Sequence, residues 1–309
     1  MTVDVSEVAE NIYMVDAQLC SIAKLGSVYL LNEEKKVLVD SGPSSSASVV
    51  LDGIRQVGVR PEDINYIIVS HIHLDHGGGA GVLLKHMPQA QVVVHHKGAK
   101  HLMAPAELLD SSIEALGAEI IAQQGEVVPI EPHRLKLVHD NDTIRLSEKQ
   151  VLDFIDAPGH APHELCIYER RNGGLFVGDA LGLNLAGGRV LLQCHPPPSF
   201  NPQVCISTIE RLKGLNATSV YFAHFGAANK VQETLQLAID KLRSYHTLMA
   251  KAVEDNTLDK AAEAISAQIR AEIEPVKRLP SLYKFVDNVI VTPCIAGLLH
   301  YYRNRYKAN

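Results

Sequence analysis

The stretch Ser70-His71-Ile72-His73-Leu74-Asp75-His76-Gly77-Gly78-Gly79 largely determines which fold and chemistry can be expected of this chain. It places three histidines and an aspartate within six residues, directly after an apolar, β-branched run at residues 66–69. Side chains at a strand end can converge on one point, and the glycines let the backbone turn tightly near bound ions. Imidazole and carboxylate ligands suit zinc, iron or manganese, and the absence of thiolate argues against a closed structural zinc site. The stretch therefore predicts a metal centre that is open to a substrate.

Three later positions have the same surroundings, an apolar strand and then a metal-ligating side chain next to glycine or a small residue. They are His160, Asp179 and His224. Two metal ions with open positions need about six or seven protein donors. The predicted metal ligands are therefore His71, His73, Asp75, His76, His160, Asp179 and His224.

The remaining pattern predicts an α/β fold in which helices cover the outer faces of sheets. A Ser-rich start at residues 44–46 predicts an N-capped helix. Residues 100–125 are predicted to be helical, as a lid or an insertion. Short strands are predicted at residues 11–15, 27–31, 36–40, 66–70, 91–94, 127–130, 135–138, 143–146, 151–155, 165–168, 175–177 and 219–222, with a helix at about 203–213.

Composition changes after His224, because residues 229–274 contain neither Gly nor Pro and carry apolar positions at helical spacing. Two helices are predicted there, and one or two more over residues 280–306. The predicted organisation is a catalytic domain at 1–228 and a helical region at 229–309. That region is expected either to pack beside the active site or to form the contact of a homodimer.

Bulk properties restrict the function classes. The 309 residues are 46% apolar with a formal charge of −6, a balance that argues against binding of nucleic acid backbones. The sequence contains no run of eighteen uninterrupted apolar residues, so no membrane span is predicted. The start lacks the features of a secretory signal, so a cytoplasmic protein is expected. The five cysteines are scattered and odd in number, which predicts free thiols.

With these motifs the chain resembles the metallo-β-lactamase superfamily over about residues 8–228. The family's ordered pattern is a strand-ending Asp, H-x-H-x-D-H, a later His, a later Asp and a final His, present here as Asp40, residues 71–76, His160, Asp179 and His224. The resemblance implies an αββα sandwich, here with a C-terminal helical extension. It also implies one metal held by His71, His73 and His160, a second held by Asp75, His76 and His224, a bridging Asp179, and an Asp40 that supports the ligand loop.

Departures from particular branches of the family narrow this expectation. Secreted β-lactamases of the family generally have a cysteine at the second metal, where this chain has Asp179. Diiron oxygen-reducing members usually have Glu where His73 stands, and lactonases often have a Tyr soon after the bridging Asp, which is absent here. Neither a glutathione-binding pattern nor the basic arm of RNA-processing members is found. The helical extension is similar to that of a thioesterase-like member that responds to a quinolone signal, which predicts a helical wall beside the site.

The implied chemistry is hydrolysis of a small molecule. Even one zinc ion lowers the pKa of a bound water to about 7, so a hydroxide that bridges two divalent ions is a nucleophile at neutral pH. We expect two divalent metal ions, zinc first and iron or manganese as alternatives, and an ester-like bond in a thioester, lactone or phosphodiester. Asp75 is expected to orient the nucleophile or carry a proton. The alternatives are a metal-containing sensor protein and a redox diiron protein.

Four of the histidines outside the predicted ligand set also have an expected location or contact. His95 and His96 are expected on a surface loop. His163 is a candidate for a contact with the substrate or with a metal ligand. His195 is a candidate for a contact with the substrate, with Phe200 as an apolar wall.

Overall fold

The computed structural model describes residues 3–306. The ends of the two predicted regions, residues 1–2 and 307–309, lie outside the described residues. The first sheet has seven strands in sequential order: β1 Val5–Ala9, β2 Ile12–Asp16, β3 Ser27–Asn32, β4 Lys36–Val39, β5 Ile64–Ile68, β6 Gln91–His95 and β7 Leu135–Val138. Strands β1 to β4 are antiparallel to their neighbours, whereas β4 to β7 run parallel.

The second sheet has six strands in the order β15-β14-β11-β10-β9-β8. Their bounds are β8 Thr143–Arg145, β9 Val151–Asp156, β10 Leu165–Glu169, β11 Gly174–Phe176, β14 Ser219–Tyr221 and β15 Ala227–Ala228. A separate hairpin consists of β12 Leu183–Leu185 and β13 Val190–Leu192. Only the pair β11 and β14 is parallel in the second sheet.

The helices lie between the strands and at the C-terminal end. They are α1 Ala47–Gln56, α2 Leu74–Gly77, α3 Ala80–Leu83, α4 Ala99–Met103, α5 Ala106–Leu116, α6 Ala118–Gln123, α7 Pro202–Lys213, α8 Val231–Glu254, α9 Leu258–Glu272, α10 Pro280–Phe285 and α11 Val291–Asn304. A π turn, Val286–Ile290, joins α10 to α11. The helices predicted at 100–125, 203–213 and 229–274 are confirmed.

Alternating side chains of the central strands are buried on both faces, which produces the layers. Tyr29 and Leu31 of β3 pack against Phe154 of β9 in the core between the two sheets. Val28 and Leu30 point the other way, into a core shared with α1. The order of layers is therefore helix, sheet, sheet, helix. The predicted αββα sandwich with a C-terminal helical extension is confirmed.

The C-terminal helices pack on the outer face of the second sheet. Leu235 and Ile239 of α8 belong to the same buried cluster as Cys166 of β10 and Leu175 of β11. Helices α8, α9 and α11 also contact one another. The helical region thus completes the core of the sandwich.

The segment Pro280–Asn304 is long and apolar enough to cross a membrane by length and composition alone, with a mean hydropathy of 1.4. Polar residues and Pro293 interrupt the segment, so it contains no uninterrupted apolar run of eighteen residues. Leu282, Val286 and Leu298 of this segment are buried inside the protein, and 33% of its most apolar window is buried. A single segment of this kind is weak evidence for a membrane span.

Three local expectations were wrong or incomplete. Residues 127–130 form no strand, because the Ile130 N–H donates to the carbonyl of Leu102 in α4 instead of pairing in a sheet. The serines at 44–46 form a 3-10 turn, and the Ser46 side chain makes no cap on α1. The Ser44 hydroxyl donates to the carbonyl of Gly78 or Glu126, so it connects this turn to the ligand loop. The β12–β13 hairpin was not predicted.

Candidate metal centre

The seven candidate ligands follow strands of both sheets. His71 and His73 come after β5 of the first sheet, and Asp75 and His76 lie in α2 immediately beyond. The second sheet supplies the other three from the loops after β9, β11 and β14, namely His160, Asp179 and His224. The site therefore lies where loops from the two sheets meet.

Three imidazoles form the first group. The His73 Nδ1 atom lies 2.9 Å from His71 Nε2 and 3.1 Å from His160 Nε2. Burial lowers the pKa of His73 and of His160 to about 3, and it also holds the pKa of His71 well below its usual value. Neutral imidazoles keep a lone pair, so these three nitrogens form a donor set suited to one divalent ion.

Asp75, His76 and His224 form the second group. Asp75 Oδ2 lies 3.4 Å from His224 Nε2 and 3.6 Å from His76 Nε2. Burial opposes a charged His76, but the carboxylates of Asp75 and Asp179 outweigh it and raise the pKa of His76 to about 10. Burial likewise opposes a charged Asp75, yet His76 and His224 hold the pKa of that carboxyl well below its usual range. The group therefore stabilises positive charge, which a divalent cation would supply.

Asp179 lies between the two groups, with one carboxylate oxygen toward each. Its Oδ2 atom is 3.5 Å from His160 Nε2. Its Oδ1 atom is 3.6 Å from His76 Nε2 and 3.5 Å from His224 Nε2. One carboxylate in this position can bind two metal ions at once.

Two buried atoms of the site test whether a metal fits. Within the described chain, His76 Nε2 and Asp179 Oδ1 have no hydrogen-bond partner. A buried polar atom left unpaired costs about 1–3 kcal/mol. A cation bound between them would satisfy both atoms, so the residues present fit a metal ion.

The opposite ring nitrogens of the candidate histidine ligands are held by neighbouring groups. A carbonyl can only accept, so His224 donates its Nδ1–H to Leu25 over 2.9 Å and keeps the Nε2 lone pair for the site. His76 Nδ1 contacts Asp40 Oδ2 at 3.1 Å, and His160 Nδ1 donates to the Cys194 carbonyl over 3.4 Å. Such partners fix the tautomer and the ring orientation of metal ligands.

Asp40 connects β4 to the ligand loop. Besides its contact with His76, it accepts the Ser70 N–H at 2.7 Å and the Ser70 hydroxyl at 3.1 Å. Its φ of 62° lies in the left-handed region, which Asp tolerates better than most residues. The residue thus holds the beginning of the ligand loop in place.

Two neighbours of the site were missed from the sequence. Glu164 is fully buried and accepts the Asp179 N–H at 2.7 Å, and burial raises its pKa well above the usual value. The Cys194 thiol lies close to the donor atoms of His160 and Asp179. Its hydrogen bond with Cys294, together with burial, raises the pKa of Cys194 well above the usual value. Neither residue stands in a motif, so only the tertiary structure reveals them.

The glycines of the ligand loop act differently from the prediction. Gly78 and Gly79 have helical backbone angles and form no tight turn toward the ions. Instead, a Cβ atom at Gly79 would lie 2.7 Å from the Gly42 carbonyl oxygen. The required glycine turn occurs at Gly178, where φ is +50° and a Cβ atom would lie 2.9 Å from Glu164 Oε1. These glycines allow close packing of the loops that carry the ligands.

The additional histidines have separate locations. His163 lines the cavity beside His73, with ring centroids 6.0 Å apart, and burial lowers its pKa to about 3. His195 is fully buried against Phe200, with ring centroids 4.4 Å apart, so neither residue forms the expected wall toward the substrate. His95 is also buried, at 3.1 Å from Asp156, which corrects the expected surface role.

A cavity of about 350 Å³ opens from the candidate ligands. His73 and Asp75 lie at its metal-centre end. Helices α5 and α6 form one side, and the π turn with the beginning of α11 forms another. This volume is within the range of sites that hold small organic ligands.

The comparisons with known proteins agree with this geometry. The sequence profile of the metallo-beta-lactamase superfamily matches residues 23–224, more than half of the chain. An N-acyl homoserine lactonase of a Bacillus species is 26% identical over 225 residues, 63% of this chain and 79% of the lactonase. Diflavin flavoprotein A 2 of a Nostoc species is 26% identical over 162 residues, 52% of this chain and 24% of that longer protein.

A solved structure shows the same architecture. The archaeal metallo-beta-lactamase superfamily protein of Sulfolobus tokodaii aligns with a TM-score of 0.64 and 23% sequence identity. The alignment covers 75% of this chain and 86% of the archaeal chain. This likeness shows that the fold is shared.

Proposed function

The chain belongs to the metallo-β-lactamase superfamily and is a metal-dependent hydrolase, and we propose that it uses two divalent ions to cleave an ester-like bond of a small molecule. The position of Asp179 carries the two-metal proposal, because its two oxygens face the two donor groups separately. Histidine and carboxylate donors suit zinc and also accept iron or manganese. Two bound ions would polarise a carbonyl oxygen and make a water molecule nucleophilic at neutral pH.

Asp75 is the residue that we propose for proton transfer. Its side chain lines the cavity and lies beside His224, so it faces both the metal centre and the substrate space. In the proposed reaction the oxygen of water bonds to the acyl carbon, and the C–O or C–S bond to the leaving group breaks. The electron pair of that bond goes to the leaving group. Asp75 accepts a proton from the water and delivers it to the leaving group.

The charges around the cavity favour an acyl bond over a phosphodiester. Among the described residues that line the cavity outside the proposed ligand set, none is Lys or Arg, and Glu107 is acidic. Phosphate groups are usually bound by Arg or Lys side chains or by helix N-termini. A thioester or a lactone is therefore the better substrate class for this cavity.

A substrate panel tests the proposal on metal-analysed protein. The panel contains an acyl thioester, a γ-lactone, a phosphodiester and a β-lactam, assayed with and without chelator. We expect chelator-sensitive hydrolysis of the thioester or the lactone and much slower cleavage of the other two. Bound metal without any hydrolysis would contradict the proposal, and oxygen consumption by iron-loaded, reduced protein would then indicate the redox diiron alternative.

A further inference from the structure

We propose that the substrate carries an uncharged apolar chain that lies between α5–α6 and the π turn preceding α11, with its scissile carbonyl at the metal centre. This inference rests on the proposed hydrolysis and names the substrate class for the same site. It follows from the composition of the two cavity walls, from their lack of cationic side chains, and from how the second wall is fixed.

The first wall comes from residues 106–123. Leu108, Ala115, Leu116 and Ile121 line the cavity from α5 and α6, and the uncharged hydroxyl side chains of Ser111 and Ser112 line it beside them. Leu108 and Ile121 also belong to the core on the outer face of the first sheet, so this wall is attached to the sandwich. An apolar surface on a fixed support is suited to a hydrocarbon chain.

The opposite wall comes from the C-terminal segment. Val289 and Ile290 of the π turn and Pro293 of α11 line the cavity, and all three side chains are half-buried. A π turn inserts one extra residue into a helix and is frequent at functional sites. Here the inserted turn presents two branched apolar side chains to the space above the metal centre. A bound apolar chain would remove this surface from water.

The second wall is held firmly against the loop after β13. A Cβ atom at Gly297 would lie 1.7 Å from the His195 carbonyl oxygen, so α11 approaches that loop as closely as only glycine allows. The Cys294 thiol donates to the Gln193 carbonyl over 3.6 Å. These contacts fix the distance between the wall and the metal ligands.

The charges of the cavity specify an uncharged chain. Glu107 and His101 are the charged or titratable residues on the α4–α5 side, and neither could neutralise a carboxylate or phosphate as a permanent cation. Arg305 donates to the carbonyls of Pro198 and Ser199 at the back of the wall. An anionic group on the chain would therefore lose its hydration without gaining a cationic partner.

A chain-length series tests the inference. The substrates are acetyl, butyryl, hexanoyl and octanoyl thioesters of N-acetylcysteamine, or γ-lactones with alkyl chains of matching lengths if lactones are the class that is cleaved. We expect kcat/KM to rise about fourfold per methylene as far as the hexanoyl substrate, since each buried methylene contributes a constant factor. A terminal carboxylate on the hexanoyl chain should abolish this gain.

Paired variants locate the chain. Ile290→Asn places a polar group on the cavity wall, and we expect it to reduce the hexanoyl-to-acetyl ratio about tenfold. Ile295→Asn is the matched control, because Ile295 lies in the same helical segment but borders a separate surface groove beside α9. It should leave the ratio unchanged. A kcat/KM that does not change with chain length, or the same hexanoyl-to-acetyl ratio in both variants, would overturn the inference while leaving hydrolysis established.

A binding measurement separates this failure from failure of the proposed function. Titration calorimetry with 2-octanone and 2-butanone uses neutral ketones that have no cleavable bond. Tighter binding of 2-octanone, lost in Ile290→Asn, would support the apolar chain site even if no ester were cleaved. Equal binding of both ketones would overturn the inference of an apolar chain site, whatever result the substrate panel gives.

Discussion

Replacing Asp179 by alanine is expected to lower turnover about 10³-fold and to remove at least one of two bound metal ions. The carboxylate lies about equally far from donor nitrogens of both groups, with 3.5 Å to His160 Nε2 and 3.5 Å to His224 Nε2. In the proposed two-metal site its loss would remove an anionic ligand from each ion, and a contribution of about 4 kcal/mol to the transition state corresponds to this factor. Metal analysis after gel filtration and kcat/KM on the cleaved substrate measure the two effects.

Two companion variants make the result specific. Asp179→Asn keeps the shape and one carbonyl oxygen, so its metal content and activity should fall between those of wild type and alanine variant. Asp259→Ala removes an exposed carboxylate on α9 that pairs with Arg303 at the surface, and it should behave like wild type. Full metal content and activity in folded Asp179→Ala, with circular dichroism unchanged, would show that Asp179 does not bind the metals.

Replacing Gly297 by alanine is expected to lower the free energy of unfolding by about 3 kcal/mol. Alanine normally stabilises a helix by about 1 kcal/mol relative to glycine, so the expected sign is the opposite of the helix propensity. The reason is that a Cβ atom would lie 1.7 Å from the His195 carbonyl oxygen and 3.1 Å from the Pro197 nitrogen. Both are backbone atoms, and α11 would have to move away from the loop after β13. Urea unfolding of wild type and variant measures the difference.

A control on the same helix tests whether bulk alone matters. Ala296 is the neighbouring residue and is exposed, so Ala296→Leu should change the free energy of unfolding by less than about 0.5 kcal/mol. If Gly297→Ala were as stable as wild type or more stable, α11 would not approach the loop as described. The wall that contains Ile290 would then have a different position.

The sequence indicated a cluster at residues 71–76 because the information in that loop is local. The motif at residues 71–76 follows a strand, and the structure brings its four side chains together with His160, Asp179 and His224. The resemblance to a family supplied the division into two groups, which spacing alone could not provide. Strands with β-branched runs and helices with long apolar stripes were also predictable, as α8 and α9 illustrate.

The incorrect predictions concern residues whose burial and contact partners depend on the tertiary structure. His95 was expected on a surface loop and His195 beside the substrate, but both are buried. The contact partner of a single histidine cannot be deduced from its neighbours in sequence. Glu164 belongs to no sequence motif. It accepts a hydrogen bond from the backbone N–H of Asp179, 15 positions away. The β12–β13 hairpin did have a signal, since Gly187-Gly188 separates two apolar runs. Periodicity predicted the C-terminal helices but not which face borders the cavity.

Titration of the metal-free protein with zinc, while hydrolysis of the cleaved substrate is followed, tests the central claim most directly. A two-metal hydrolase predicts that activity rises until two equivalents are bound and that a chelator abolishes it. The Asp179→Ala variant should gain little activity at any metal concentration. Full activity at one equivalent, or hydrolysis that persists without metal, would contradict the account.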